Sequence, residues 1–133
     1  MKVKTNLELF LAFSFLFLTQ YGWAGDKDKN AEGTIVVRGA IEDSQCAFNV
    51  HSEGRSHDWM IKKGVPGAKD ERSCTQHCVK DMGGVYVLVT KDDIYRLDEQ
   101  SVTEVYAGRK VKITALPGVK PHTLHVVKIE EDK

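Results

Sequence analysis

Apolar and polar positions divide the chain into an apolar leader, a middle without period and a second half rich in strands. From Thr34 to Glu42, Ile35, Val37, Gly39 and Ile41 fall on one face and Val36, Arg38, Ala40 and Glu42 on the other, which predicts a first strand. The glycine in its middle predicts a bend or bulge. Val85 to Thr90 is almost continuously apolar, as in a central strand covered on both faces. Lys91-Asp92-Asp93 then makes a hairpin-length turn into a third strand, Ile94 to Leu97. Ser101 and Glu104 have the spacing of a capping box, with Val102, Val105 and Tyr106 at helical spacing before Gly108. Lys110 to Ala115 alternates, placing Val111, Ile113 and Ala115 inward. Leu124 to Ile129 is the last strand, and its apolar face passes from Leu124 and Val126 to Val127 and Ile129, which predicts a bulge.

This order predicts a mainly β protein with two short helices. The expected architecture is a small five-stranded OB-like barrel with a long cysteine-containing insertion between strands 1 and 2. An open five-stranded sheet with helices on one face reads almost the same way. Between Asp43 and Asp70 neither period survives, and Gly54, Gly64, Pro66 and Gly67 interrupt the segment. Such a connection inside a small domain points to a segment that is pinned or functional. It holds Cys46, Phe48, His51, His57 and Trp59. The second predicted helix follows, with Ser73 as cap, Gln76 as its capping partner and Gly83 as stop. Cys74, Cys78 and Met82 share one of its faces at i, i+4 and i+8.

The amino terminus changes the address. Lys2 and Lys4, the apolar run Leu7 to Leu18 and the small residues around Trp23 predict a signal peptide over residues 1–24. An N-terminal membrane anchor is the alternative, but the run is shorter than the ~20 residues that a spanning helix needs. Gly25 to Gly33 reads as a disordered lead-in, leaving a single domain over 34–130. The expected location is periplasmic or extracellular, as a monomer with no membrane span after cleavage. Removing Lys2, Lys4 and Glu8 from 19 basic and 19 acidic residues leaves 17 and 18, a net charge of −1. No basic stripe is present, which argues against nucleic acid as a partner.

The cysteines carry the candidate chemistry. Three in an exported chain leave one unpaired if a disulfide forms. The first reading is a disulfide between Cys46 and Cys74 or Cys78, worth roughly 3.5 kcal/mol for a loop of about thirty residues. The second is a zinc or copper site made by Cys46, Cys74 and Cys78, with His51 or His57 as fourth ligand and His51 the leading choice. His77 neighbours Cys78 and points away from that face. The third is thiol redox chemistry at Cys74, placed at the first helical position where the helix dipole favours a thiolate. Reduced thiols packed in a core complete the set. Phe48 and Trp59 are expected to cover the barrel, with ligand stacking as the alternative. His122 and His125 fall on opposite faces of the last strand and read as exposed or singly hydrogen-bonded groups rather than paired ligands. Asp92-Asp93 and Glu130-Glu131-Asp132 read as solvated charge. No Ser-His-Asp order, P-loop or dinucleotide glycine pattern occurs, and no catalytic residue is assigned.

Asp43-Ser44-Gln45-Cys46, Cys74-Thr75-Gln76-His77-Cys78-Val79, Tyr86-Val87-Leu88-Val89 and Gly108-Arg109-Lys110-Val111-Lys112-Ile113-Thr114 together resemble a family of small exported bacterial proteins of uncharacterised function. The resemblance spans about residues 33–130. In that pattern Gly usually follows the first cysteine, where this chain has Ala47. It implies an exported OB-like domain and brings no activity with it. The resulting expectation is a non-catalytic OB-like domain held by a disulfide, without a cofactor, that binds a small molecule or a protein. A zinc- or copper-binding protein and a thiol redox protein are the alternatives.

Overall fold

The computed structural model describes residues 33–50 and 57–133. The predicted signal peptide, most of the lead-in and His51 lie outside the described residues. Five strands, β1 (Ile35–Asp43), β2 (Tyr86–Val89), β3 (Ile94–Leu97), β4 (Lys110–Pro117) and β5 (Thr123–Glu131), close in the order β1-β2-β3-β5-β4. Every neighbouring pair is antiparallel except β3 and β5. This is the expected small OB-like barrel, and the open sheet is set aside by the closing β1–β4 pair.

Closure depends on β1 serving two partners. Its first part pairs with β4, from Ile35 opposite Ala115 to Ala40 opposite Lys110, and its last part pairs with β2, from Ala40 opposite Val89 to Asp43 opposite Tyr86. Gly39 sits just before the change of partner. A Cβ there would lie 2.3 Å from the Val89 carbonyl oxygen, so the glycine permits a close backbone approach. Of the bend or bulge expected at Gly39, the bulge does not occur, because the register of Gly39 with Val111 is regular. The bulge expected in the last strand does occur. Thr114 pairs with Lys128 and Ala115 with Val126, leaving Val127 as the extra residue. Val127 is therefore 55 % exposed, while Leu124, Val126 and Ile129 point inward.

Four described helices replace the two expected. The segment from Asp43 to Asp70 contains α1 (Ser44–Ala47) and α2 (His57–Lys62), each too short for a helical period to show. The cysteine helix, α3 (Glu71–Met82), starts earlier than predicted. Asp70 is its N-cap and Ser73 the third helical residue: Asp70 Oδ1 accepts from Ser73 N at 2.7 Å and Ser73 Oγ accepts from Asp70 N at 2.9 Å. An aspartate preceding the serine by three positions takes the cap that the serine was assigned. Gly83, at φ 74°, ends the helix as predicted. In α4 (Gln100–Glu104) the predicted Ser101–Glu104 box is not formed. Its cap is Glu99, which makes no side-chain cap bond. The Gln100 side chain instead crosses to β2, accepting from Tyr86 N at 2.7 Å and donating to the Tyr86 and Leu97 carbonyls at 2.9 and 2.8 Å.

Two hydrophobic clusters result. The barrel interior is built from Ile41, Tyr86, Leu88, Val111, Ile113, Leu124 and their neighbours. The insertion has its own cluster, Met60, Ala68, Cys74 and Cys78, with Cys46, Ile61, Val65 and Met82 packed against it. Three of its four buried members carry sulfur. The expectation that Trp59 covers the barrel is corrected, since it borders a hollow with Met60, Val65, His77 and Met82. Phe48, about half exposed, edges an open cleft beside the β2–β3 turn, together with Pro121 and His122.

A candidate metal centre at the insertion

Asp43 ends β1 inside the structure, with no exposed surface. Its carboxylate has two partners: Oδ1 accepts from the Cys46 backbone N–H at 2.9 Å, capping α1, and Oδ2 meets His57 Nε2 at 2.9 Å. One barrel residue therefore fixes the first turn of α1 and the first residue of α2. Burial opposes the charge on Asp43, but the bonds from His57 and the Cys46 N–H outweigh it and hold its carboxyl below the usual range. His57 is raised chiefly by its hydrogen bond to Asp43, against burial.

Helix α1 is tied to the far end of α3. Gln45 Nε2 donates to the Met82 carbonyl at 2.9 Å, Ser44 N donates to Val85 O at 2.9 Å, and Ser44 Oγ accepts from Val85 N at 3.1 Å. This staple brings Cys46 against the face of α3 that carries Cys74 and Cys78. The three sulfurs lie within 4.8 Å of one another. Ligand atoms of Asp43, Cys46 and His57 form a second group within the same limit, so Cys46 belongs to both. Cys74 and Cys78 are buried, whereas Cys46 is partly exposed and borders a cleft with Glu42, His57, Asp58 and Glu71. Met60, on α2, is also buried, and the Cys74 thiol contacts its Sδ at 3.7 Å.

No pair of these sulfurs is bonded, and all three cysteines are free thiols. The disulfide expected between Cys46 and Cys74 or Cys78 thus has its candidates adjacent but unjoined. Of the expected metal set, Cys46, Cys74 and Cys78 come together, and His57 is the histidine beside them among the described residues. The redox reading loses its premise: with Asp70 as cap, Cys74 is the fourth helical residue, beyond the strongest reach of the dipole. Burial and the nearby Asp43 charge raise the Cys74 thiol and push Cys78 up to about 12, so both are protonated. Cys46 is raised by the same causes.

The other described histidines make local pairs. His77 Nδ1 meets Asp81 at 2.7 Å and belongs to neither ligand group. His122 pairs with Asp93 at 3.3 Å, and His125 pairs with Asp98. Asp43 and Met60 escaped the sequence reading. The signals were Asp43 three residues before Cys46, the spacing of an aspartate cap, and Met60 three residues after His57, one helical turn along the same face.

Fold and cluster define a class: a small OB-like barrel whose first long connection folds into a helical lobe packed around three thiols. Comparison with protein-family models, curated proteins and solved structures finds no match.

Proposed function

We propose that the chain is an exported binding module that holds one soft metal ion, zinc or copper, with Cys46, Cys74 and Cys78 as thiolate ligands and His57 as the imidazole. The observation that carries this is the convergence of three sulfurs from two separate helices to within 4.8 Å, beside the His57–Asp43 pair. A disulfide engages two sulfurs and gives no role to the third or to the histidine. A soft ion accepts all of them, and Cys3His is a common closed zinc set. The pairing of His57 with a buried carboxylate also matches metal chemistry, since a ligating histidine commonly gives one ring nitrogen to a carboxylate and the other to the ion. Resemblance to exported proteins and the predicted signal peptide support delivery across a membrane. No helix among the described residues is long and apolar enough to span one.

Mass spectrometry of the purified mature chain tests the reading. One zinc or copper ion retained under native conditions, lost on denaturation and absent from a Cys74→Ser, Cys78→Ser variant supports it. A chain that binds neither ion after full reduction, or that is recovered lacking two hydrogens and refuses metal until reduced, refutes it in favour of the disulfide.

A further inference from the structure

We infer that the ion is copper(I) and that Met60 Sδ is one of its ligands, an inference that rests on the metal reading above. Met60 lies on α2, one turn after His57, and is 5 % exposed. Its sulfur is 3.7 Å from Cys74 Sγ. With metal–sulfur bonds of about 2.3 Å, two sulfurs sharing an ion lie roughly 3.8 Å apart in a tetrahedral site and about 4.0 Å in a trigonal one. The pair already stands at that spacing, with the thioether on one helix facing a thiol on another.

The thioether decides between metals. Zinc in proteins is taken by thiolate, imidazole and carboxylate, whereas thiolate with thioether selects copper(I). Charge favours a neutral sulfur as the fourth ligand. Copper(I) bound by Cys46, Cys74 and Cys78 carries two net negative charges close to the buried carboxylate of Asp43, and the neutral Met60, taking the position that His57 would hold in a zinc site, adds none. Cys46, shared with the Asp43–His57 group and lining the cleft, is the ligand by which the ion enters from solvent. Binding replaces the three cysteine S–H bonds by three Cu–S bonds and releases three protons to solvent. An ion that arrives as copper(I) exchanges no electron. The competing account makes Met60 an apolar filler that touches Cys74 only as packing.

The test uses the reduced, signal-free chain under anaerobic conditions. Copper(I) is titrated in competition with a coloured copper(I) chelator, and zinc(II) with a zinc chelator, for wild type and Met60→Leu, a swap that conserves volume. One copper(I) per chain, bound more tightly than zinc, is expected. Met60→Leu is expected to lose copper(I) affinity by at least about tenfold, as even outer partners of a ligand do. It is also expected to lose one Cu–S contact in the X-ray absorption spectrum and to keep its zinc affinity. Equal copper(I) affinity in wild type and Met60→Leu overturns the role of Met60. Preference for zinc over copper(I) overturns the choice of metal while leaving the metal reading standing, and binding of neither ion refutes both.

Discussion

Replacing Asp43 by alanine tests whether one barrel carboxylate organises the insertion. The side chain has no exposed surface and serves two groups, the Cys46 N–H and His57, each at 2.9 Å. Loss of the cap costs about 1 kcal/mol. Removing a charged partner from His57, itself 8 % exposed, leaves a buried polar group unsatisfied at roughly 1.5–3 kcal/mol. The expected loss is therefore about 2.5–4 kcal/mol. At roughly 4–8 °C per kcal/mol for a domain of this size, the melting midpoint falls by at least about 10 °C. Asp43→Asn keeps an acceptor for the Cys46 N–H and offers an N–H to neutral His57, so its cost is about 1 kcal/mol. Urea and thermal unfolding of the reduced, metal-free protein measure both. In the double variant with His57→Ala the two losses should fall short of their sum, because they share one hydrogen bond. An Asp43→Ala protein within about 0.5 kcal/mol of wild type, the range of ordinary surface changes, refutes the anchoring role. An asparagine variant as damaged as the alanine one refutes the assignment of hydrogen bonding as its basis.

Three further outcomes follow from the barrel. Gln100→Ala removes three bonds to the backbone of β2 and β3 and should cost about 1–3 kcal/mol in urea unfolding, chiefly through the strand groups it strands. Val127→Lys, at the bulge, should stay within about 0.5 kcal/mol of wild type while Val126→Lys unfolds the protein, and circular dichroism of the two separates this register from the unbulged one. Burial opposes ionisation of Asp98, yet bonds from Val126 N and His125 hold its pKa low. Its stabilisation is complete above the unfolded value of about 3.9 and disappears as pH falls through the lower folded value, so Asp98→Asn should flatten the acid limb of a stability–pH curve.

The barrel was legible because its signals are repetitive. Val111, Ile113 and Ala115 alternate with polar neighbours, and the switch of apolar positions along the last strand announced the extra residue, though not that Val127 would be the one turned outward. The insertion was legible only at its cysteines. Helices of four and six residues are too short for a hydrophobic period, so α1 and α2 left no trace. The start of α3 was misplaced because Asp70 and Ser73 both have capping chemistry and only the backbone geometry decides between them. Asp43 read as the first residue of the aperiodic connection, and nothing local shows that its carboxylate turns inward to His57, fourteen residues on. The site is made by tertiary convergence, which a linear pattern does not encode.

The two clusters also differ in what holds them. Branched and aromatic side chains fill the barrel, and strand pairing closes it on itself. The fully buried part of the insertion cluster is Met60, Ala68 and two cysteines, which is little apolar surface to offset the ordering of α2 and α3. On the proposed reading an ion joining the sulfurs would supply the difference, and its binding energy would be folding energy for the lobe alone. Hydrogen exchange distinguishes this from uniform stabilisation. Stripping the ion should raise exchange at the amides of Glu71–Met82 and leave those of Lys110–Pro117 unchanged, because local opening of the lobe breaks no barrel pairing. Equal deprotection of both segments would mean that lobe and barrel form one cooperative unit. No change in either would mean that the lobe stands on packing alone and that the convergence of its thiols contributes nothing to its order.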